Sequence, residues 1–218
     1  MNKLTIDFVS DVACPWCAVG LGNLLAAIDR VKDVAQVEVR MQPFELNPDM
    51  PAGGQNTVER LMEKYGHDRE RILATRQAIR ERAAAVDMPL RMGEDDRSYN
   101  TFDAHRLLHW AGQQGAAQQL ALKKQLLKTY HYDNLDTADT EVLVQAAAAA
   151  GLPAEQARAV LQDGQYVDEV RSEEQKWLEL GISSVPSIII NDEYLISGGQ
   201  PVEVFEQSLR QAATESPA

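Results

Sequence analysis

Cys14-Pro15-Trp16-Cys17 stands where an extended run gives way to an amphipathic one, and it holds both cysteines of the 218-residue chain. Leu4 to Val9 upstream reads as a strand. Downstream, Leu21, Leu24, Leu25 and Ile28 recur at i, i+3, i+4 and i+7 and so define one apolar helical face. Pro15 suits the first turn of that helix, where its missing N–H costs nothing. Cys14 therefore falls at a helix N-terminus, where unpaired N–H groups and the helix dipole favour an anion such as a thiolate. Cys17 lies deeper and shares less of that field. The pattern reads as an attacking thiol followed by a resolving thiol.

Three other uses of the pair compete with this reading. A structural bridge closing so short a loop gains little from restricting the unfolded chain. A zinc site needs two further ligands. Without other cysteines these would have to be histidines, and His105 and His109 stand at i, i+4 on an expected helix. Inert buried thiols are the third. The strand-to-helix setting favours redox chemistry over all three, with no metal expected.

The net charge of −12 argues against a nucleic-acid backbone or an anionic membrane as partner, and simple solubility accounts for it. No apolar run approaches a membrane span. Met1 to Asp7 alternates apolar and polar residues instead of forming a signal-peptide block, so the expected location is the cytoplasm. In a reducing compartment a CxxC pair is more often catalytic or metal-binding than structural.

Gln36 to Gln42 alternates as a second strand, closed off by Pro43 and Pro48, and the turn-rich stretch Asn47 to Gly54 marks a linker. From Thr57 to about Gly181 the chain reads almost wholly helical. Thr57, Asp68 and Asn100-Thr101 are expected as caps, Met88-Pro89 as a stop, and Arg91 to Arg97 as a charged loop. Helices are expected over Ala116–Tyr130, Thr140–Ala150, Pro153–Leu161 and Gln165–Leu180. Strand character returns at Ser187–Ile190 and Tyr194–Ile196, followed by a last helix from about Pro201 and a small, polar tail from Thr214. The first and last parts must share one sheet, because neither alone can bury its apolar faces. Pro186 opens the later strand. Since only about 5–6% of X–Pro bonds are cis, spacing alone favours a trans proline there.

Four stretches together resemble one family: Ser10-Asp11-Val12-x-Cys14-Pro15-Trp16-Cys17-x-x-Gly20, Asn100-Thr101-x-x-Ala104-His105-Arg106-Leu107, Gly181-Ile182-x-x-Val185-Pro186, and Ile196-Ser197-Gly198-Gly199-Gln200-Pro201. They resemble the DsbA branch of the thioredoxin superfamily, and more narrowly its FrnE-like dithiol-disulfide isomerases. The resemblance implies an α/β thioredoxin fold, β-α-β then β-β-α, with a large helical insertion. Residues 1–50 and 182–218 would form the thioredoxin-like domain and 51–181 the insertion. It also implies that Val185–Pro186 is cis beside the reactive cysteine, and that the Val185 backbone edge pairs with an extended substrate. Cys14 and Cys17 are then the catalytic pair, with Trp16, Val185, Pro186 and His105 as substrate-binding candidates. Trp16 is expected to tune access and redox poise, and His109 to be structural. Asp11, three residues before Cys14, is expected to accept loop N–H bonds. The same branch contains glutathione-dependent 2-hydroxychromene-2-carboxylate isomerases and kappa-class transferases, which generally carry serine at the position of Cys14. The two thiols present here shift weight to thiol–disulfide exchange on protein or small-molecule substrates, with no cofactor beyond the redox pair. Glutathione as co-substrate, and monomer against homodimer, stay open.

Overall fold

A computed structural model describes residues 2–215. It opens with strand β1 (Asn2–Ser10), helix α1 (Pro15–Arg30) and strand β2 (Ala35–Pro43). Strands β5 (Ser187–Ile190) and β6 (Tyr194–Ser197) and helix α9 (Val202–Glu215) close it. The sheet order is β2-β1-β5-β6, with β1 parallel to β2 and the remaining pairs antiparallel. β1 thus carries hydrogen bonds on both edges and is buried over most of its length. Leu4, Ile6 and Phe8 pack with Leu21 and Leu24 of α1 and Phe205 and Leu209 of α9. Val9 points to the other face, where it meets Phe44, Trp177 and Ile182.

The register brings two distant segments to one end of the sheet. Ser10 at the end of β1 lies opposite Pro43, and Val9 pairs with Ser187, the first residue of β5. The loop into α1, holding Cys14, and the turn into β5, holding Pro186, therefore emerge side by side.

Between β2 and β5 come α2 (Thr57–Tyr65), α3 (Arg69–Ala84), α4 (Phe102–Gln114), α5 (Ala116–Lys128), α6 (Thr140–Ala149), α7 (Ala154–Gln162) and α8 (Val167–Glu179). Helices α4 to α7 build a second core around Leu107, Trp110, Leu122, Leu126 and Leu143, which also receives Val12 from the loop before Cys14. Ile79, Ala83 and Leu127 of the helical block join the core under the sheet instead. Val12 and Leu127 so tie the Cys14 loop to the helices.

Several boundaries differ from expectation for local reasons. Asn56, not Thr57, caps α2, its side chain accepting from the Glu59 N–H. Thr101 makes no capping bond, because its hydroxyl donates to Asp11; Asn100 Oδ1 accepts from Phe102 N–H instead. Helix α3 ends at Ala84, ahead of Met88-Pro89, where Asp87 adopts a positive φ of 56° and Met88 N–H returns to the Ala83 carbonyl. The helix expected up to Tyr130 stops at Lys128 and passes into a π-helical turn over Thr129–Asp133. A short antiparallel pair, β3 (Gln55–Asn56) with β4 (Arg97–Ser98), interrupts the stretch read as helical. Thr214 and Glu215 end α9; the rest of the tail, and Met1, lie outside the described residues.

Candidate active site

Cys14 is the N-cap of α1, with an extended backbone at φ −93° and ψ 109°, and Pro15 opens the first turn as expected. No carboxylate occupies that first turn, which leaves the helix N-terminus itself favourable to an anion. Both thiols are free. Cys14 is 5% exposed and Cys17 fully buried, so the accessible sulfur is that of Cys14. Its thiol donates to the Val185 carbonyl across 3.5 Å, and the Val185–Pro186 peptide is cis. The proline conformation drawn from the family resemblance, rather than that drawn from spacing, is the one present. Burial pushes the Cys17 thiol well above the ordinary value, and a hydrogen bond and charge interaction with Cys14 push it further the same way.

Beneath the loop sits Asp11, fully buried. Its Oδ1 accepts from Ala13 N–H at 3.1 Å and the Thr101 hydroxyl at 2.8 Å, and faces His105 Nε2 at 3.4 Å. Its Oδ2 accepts from Leu46 N–H at 2.7 Å. Burial alone would raise the carboxyl, but the bonds from His105, Leu46 and Ala13 outweigh it and hold Asp11 below the usual carboxylate range. Asp11 is thus a brace joining the Cys14 loop, the β2 exit and α4. This is also where His105 sits: it is 2% exposed and turned to Asp11, behind the loop and outside the cleft lining. His109 faces Glu173 and lies with its ring tilted against Tyr166, the ring centres 5.0 Å apart. Among the described residues no group of three His, Cys, Asp or Glu is arranged to hold a metal ion.

Cys14, Trp16 and Val185 open onto a cavity of about 570 Å³. Its far walls come from α2, α3, β4 and the π-helical turn, all outside the sequence motifs. Trp16 packs against the main core and holds the Arg82 guanidinium 5.3 Å from its ring centre. Two buried nitrogen bases line or flank this region and were not singled out from sequence. His131 is 6% exposed, lines the cavity, and has no hydrogen-bond partner for Nε2 among the described residues. Lys123 is fully buried on α5, also unpartnered at Nζ, and its charge acts on Cys17, Asp11 and Cys14. Hydrophobic flanks disguise it: Leu122 and Leu126 face one core and Leu127 the other.

Comparison with known proteins agrees with this geometry. The DSBA-like thioredoxin domain matches residues 5–210. A crystal structure of a probable DsbA oxidoreductase from Streptomyces coelicolor is 36% identical, covers 99% of this chain and 92% of its own, and superimposes with a TM-score of 0.90. A 2-hydroxychromene-2-carboxylate isomerase is 14% identical over 98% of this chain and 100% of its own, with a TM-score of 0.70. The cytosolic disulfide reductase DsbM from Pseudomonas aeruginosa is 17% identical over 97% of this chain and 100% of its own, with a TM-score of 0.64, and has also been solved with GSH. The last two show the fold alone. No curated protein matches the chain.

Proposed function

Because the chain belongs to the DsbA-like thioredoxin family, we propose that it is a thiol–disulfide oxidoreductase or isomerase working through the Cys14–Cys17 couple. The observation that carries this reading is the pairing of a cleft-facing Cys14, capping α1 and touching the Val185 carbonyl, with a wholly buried Cys17 one turn behind it.

The steps balance without an added cofactor. The Cys14 thiolate attacks one sulfur of a substrate disulfide; that S–S bond breaks, a mixed disulfide forms, and the first substrate thiolate leaves and takes up a proton. Cys17 then loses its proton and attacks Cys14 Sγ. The Cys14–Cys17 disulfide forms, and the second substrate thiol departs. The environment orders these steps. While Cys14 is free, its charge and hydrogen bond help to keep Cys17 protonated. Once Cys14 is tied up in a neutral mixed disulfide, that opposition ends and Cys17 ionises more easily. Run in reverse, the oxidised pair takes two electrons from a substrate dithiol. The Val185 backbone beside Cys14 is the edge along which an extended substrate would pair. Trp16 and Pro186 frame that approach, and His105 contributes through Asp11. We place the reaction in the cytoplasm with glutathione as a candidate co-substrate, by likeness to the cytosolic disulfide reductase DsbM and its structure with GSH.

A glutathione-dependent isomerase would share this fold but need no resolving thiol. The test is turnover of insulin disulfides by wild type and Cys17→Ala, with mass spectrometry of adducts on Cys14. The redox reading expects turnover only in wild type and a Cys14 adduct in the variant. Equal turnover in both, with glutathione bound only non-covalently, would overturn it.

A further inference from the structure

The chain carries 33 acidic and 21 basic side chains, yet the walls of the Cys14 cleft carry the opposite sign. Arg60 and Lys64 on α2, Arg71 and Arg76 on α3, and Arg97 on β4 all line it, against the single carboxylate of Asp96 among the described lining residues. Asp96 is already shared, at 3.5 Å from the guanidinium of Arg76 and 3.5 Å from that of Arg91.

The other four cleft cations form no ion pair among the described residues. Arg60 donates to the neutral Asn47 Oδ1 at 2.7 Å and leaves a buried Nε without a partner. Arg97 donates to the carbonyls of Gly53 and Gly54, which fix its position and leave its charge uncompensated. Elsewhere on the surface several arginines are neutralised by carboxylates: Arg30 by Glu203 and Glu206, Arg158 by Glu141, Arg210 by Asp33 and Glu206. In a chain of net charge −12, gathering five cations against one carboxylate around a single thiol, four of them without an ion pair among the described residues, concentrates positive potential there. Low-dielectric walls strengthen such a field, and guanidinium groups match carboxylates in geometry.

We propose that this cleft selects disulfides whose sulfur is flanked by carboxylates, with Arg60, Lys64, Arg71 and Arg97 holding those carboxylates while Cys14 attacks. The assignment rests on the redox reading above and adds the chemical class of its substrate. A short carboxylate-bearing thiol such as glutathione and an acidic peptide segment offer the same chemistry.

The experiment mixes pre-reduced enzyme with excess disulfide in single turnover. One protein dithiol becomes a disulfide as one substrate disulfide becomes two thiols, so no further reductant enters. Substrates are cystine-linked peptides differing only in Glu, Gln or Lys flanks, glutathione disulfide, and the uncharged bis(2-hydroxyethyl) disulfide. The expected result is that Glu-flanked peptide, glutathione disulfide, or both react about tenfold faster than the Gln-flanked peptide at low salt, and the Lys-flanked peptide slower. The advantage should shrink severalfold near 0.5 M salt, where the screening length falls to about 4 Å. Arg71→Gln and Lys64→Gln, both at exposed helix positions, should each cut the Glu-to-Gln or glutathione-to-Gln rate ratio about threefold, whereas the remote Lys32→Gln should not. An advantage confined to glutathione disulfide or to the Glu peptide supports the site and identifies its source. Equal rates across flanks, or a ratio unmoved in both cleft variants, would overturn the proposal while reaction with the uncharged disulfide leaves the redox reading standing. No reaction with any disulfide removes both.

Discussion

A β-carbon placed on Gly20 would stand 3.0 Å from Pro186 Cγ and 3.2 Å from the Gly199 Cα. The reciprocal approach is as close, since a β-carbon on Gly199 would meet Trp16 O at 3.1 Å and Gly20 N at 3.2 Å. Helix α1 thus touches the Pro186 turn and the loop after β6 through bare backbone, and this contact sets how near Val185 comes to Cys14. Gly20→Ala gains about 1 kcal/mol of helix propensity but overpacks the contact, at a cost of about 1–3 kcal/mol. The obstacle is a proline ring and a main chain, neither of which yields easily, so the steric effect should win. Urea denaturation should show a net loss of about 1 kcal/mol, with disulfide exchange slowed several-fold. Unchanged stability and rate would mean that this close approach does not position the site.

The unequal burial of the two thiols makes their mutants unequal. Cys14→Ser should have no measurable disulfide turnover and form no adduct, because among the described residues no other thiol lines the cleft. Cys17→Ser should attack substrate at nearly the wild-type rate and then stall as a Cys14 mixed disulfide. Non-reducing mass spectrometry after a brief pulse of substrate reads this directly. Equal trapping by both variants would contradict the division of roles.

Asp11 gathers donors from three separated segments, and its removal should be felt as stability. Asp11→Ala strands the Leu46 N–H, the Thr101 hydroxyl and the His105 ring, a buried network whose disruption costs about 3–5 kcal/mol. Asp11→Asn retains one acceptor oxygen and should cost less, about 1–3 kcal/mol. Because Asp11 is held below the usual carboxylate range, its contribution is present at neutral pH and disappears as pH falls through its folded-state value, below about 4. Chemical denaturation of both variants at pH 7 tests the ranking, and a larger loss for Asn than for Ala would refute it.

What could be read in the sequence was what chain neighbours determine. The Cys14 cap, the depth of Cys17 and the strands around them follow from spacing and helix-end electrostatics. Asp11 as a loop acceptor was also legible, as a short acid just before a helix. The cis state of Pro186 was not available from spacing and came only through family resemblance. The cationic wall stayed hidden because Arg60, Lys64 and Arg71 sit on polar helices, where isolated cations read as solvated surface. Only the packing of α2 and α3 opposite Cys14 gives them a common target. Lys123 and His131 were missed for the converse reason. Their burial is a product of helices meeting in three dimensions, and no local pattern marks a lysine among leucines as fully enclosed. His105 matched a family motif and was expected in the substrate groove, but the same helix turn that buries Ala104 and Leu107 turns its ring to Asp11.

His131 should leave a signature in the pH dependence of folding. Burial, reinforced by the nearby Arg76 charge, lowers its pKa from an ordinary 6.5 to about 3. Other charged groups around it are Asp11, which raises the value, and Lys123, which lowers it. The folded state therefore keeps the ring neutral, whereas the unfolded chain binds a proton below about pH 6.5. The stability associated with neutral His131 is complete above that pH and declines as pH falls toward 3, with a slope approaching one proton, about 1.4 kcal/mol per pH unit. Over the whole window this amounts to roughly 4–5 kcal/mol, enough to unfold many domains of ordinary stability. Urea unfolding at successive pH values between 7 and 4 measures the slope, within the range where Asp11 stays ionised. His131→Leu should flatten it by up to one proton, whatever its effect on stability at pH 7. A slope unchanged in the variant would assign the acid sensitivity to another group.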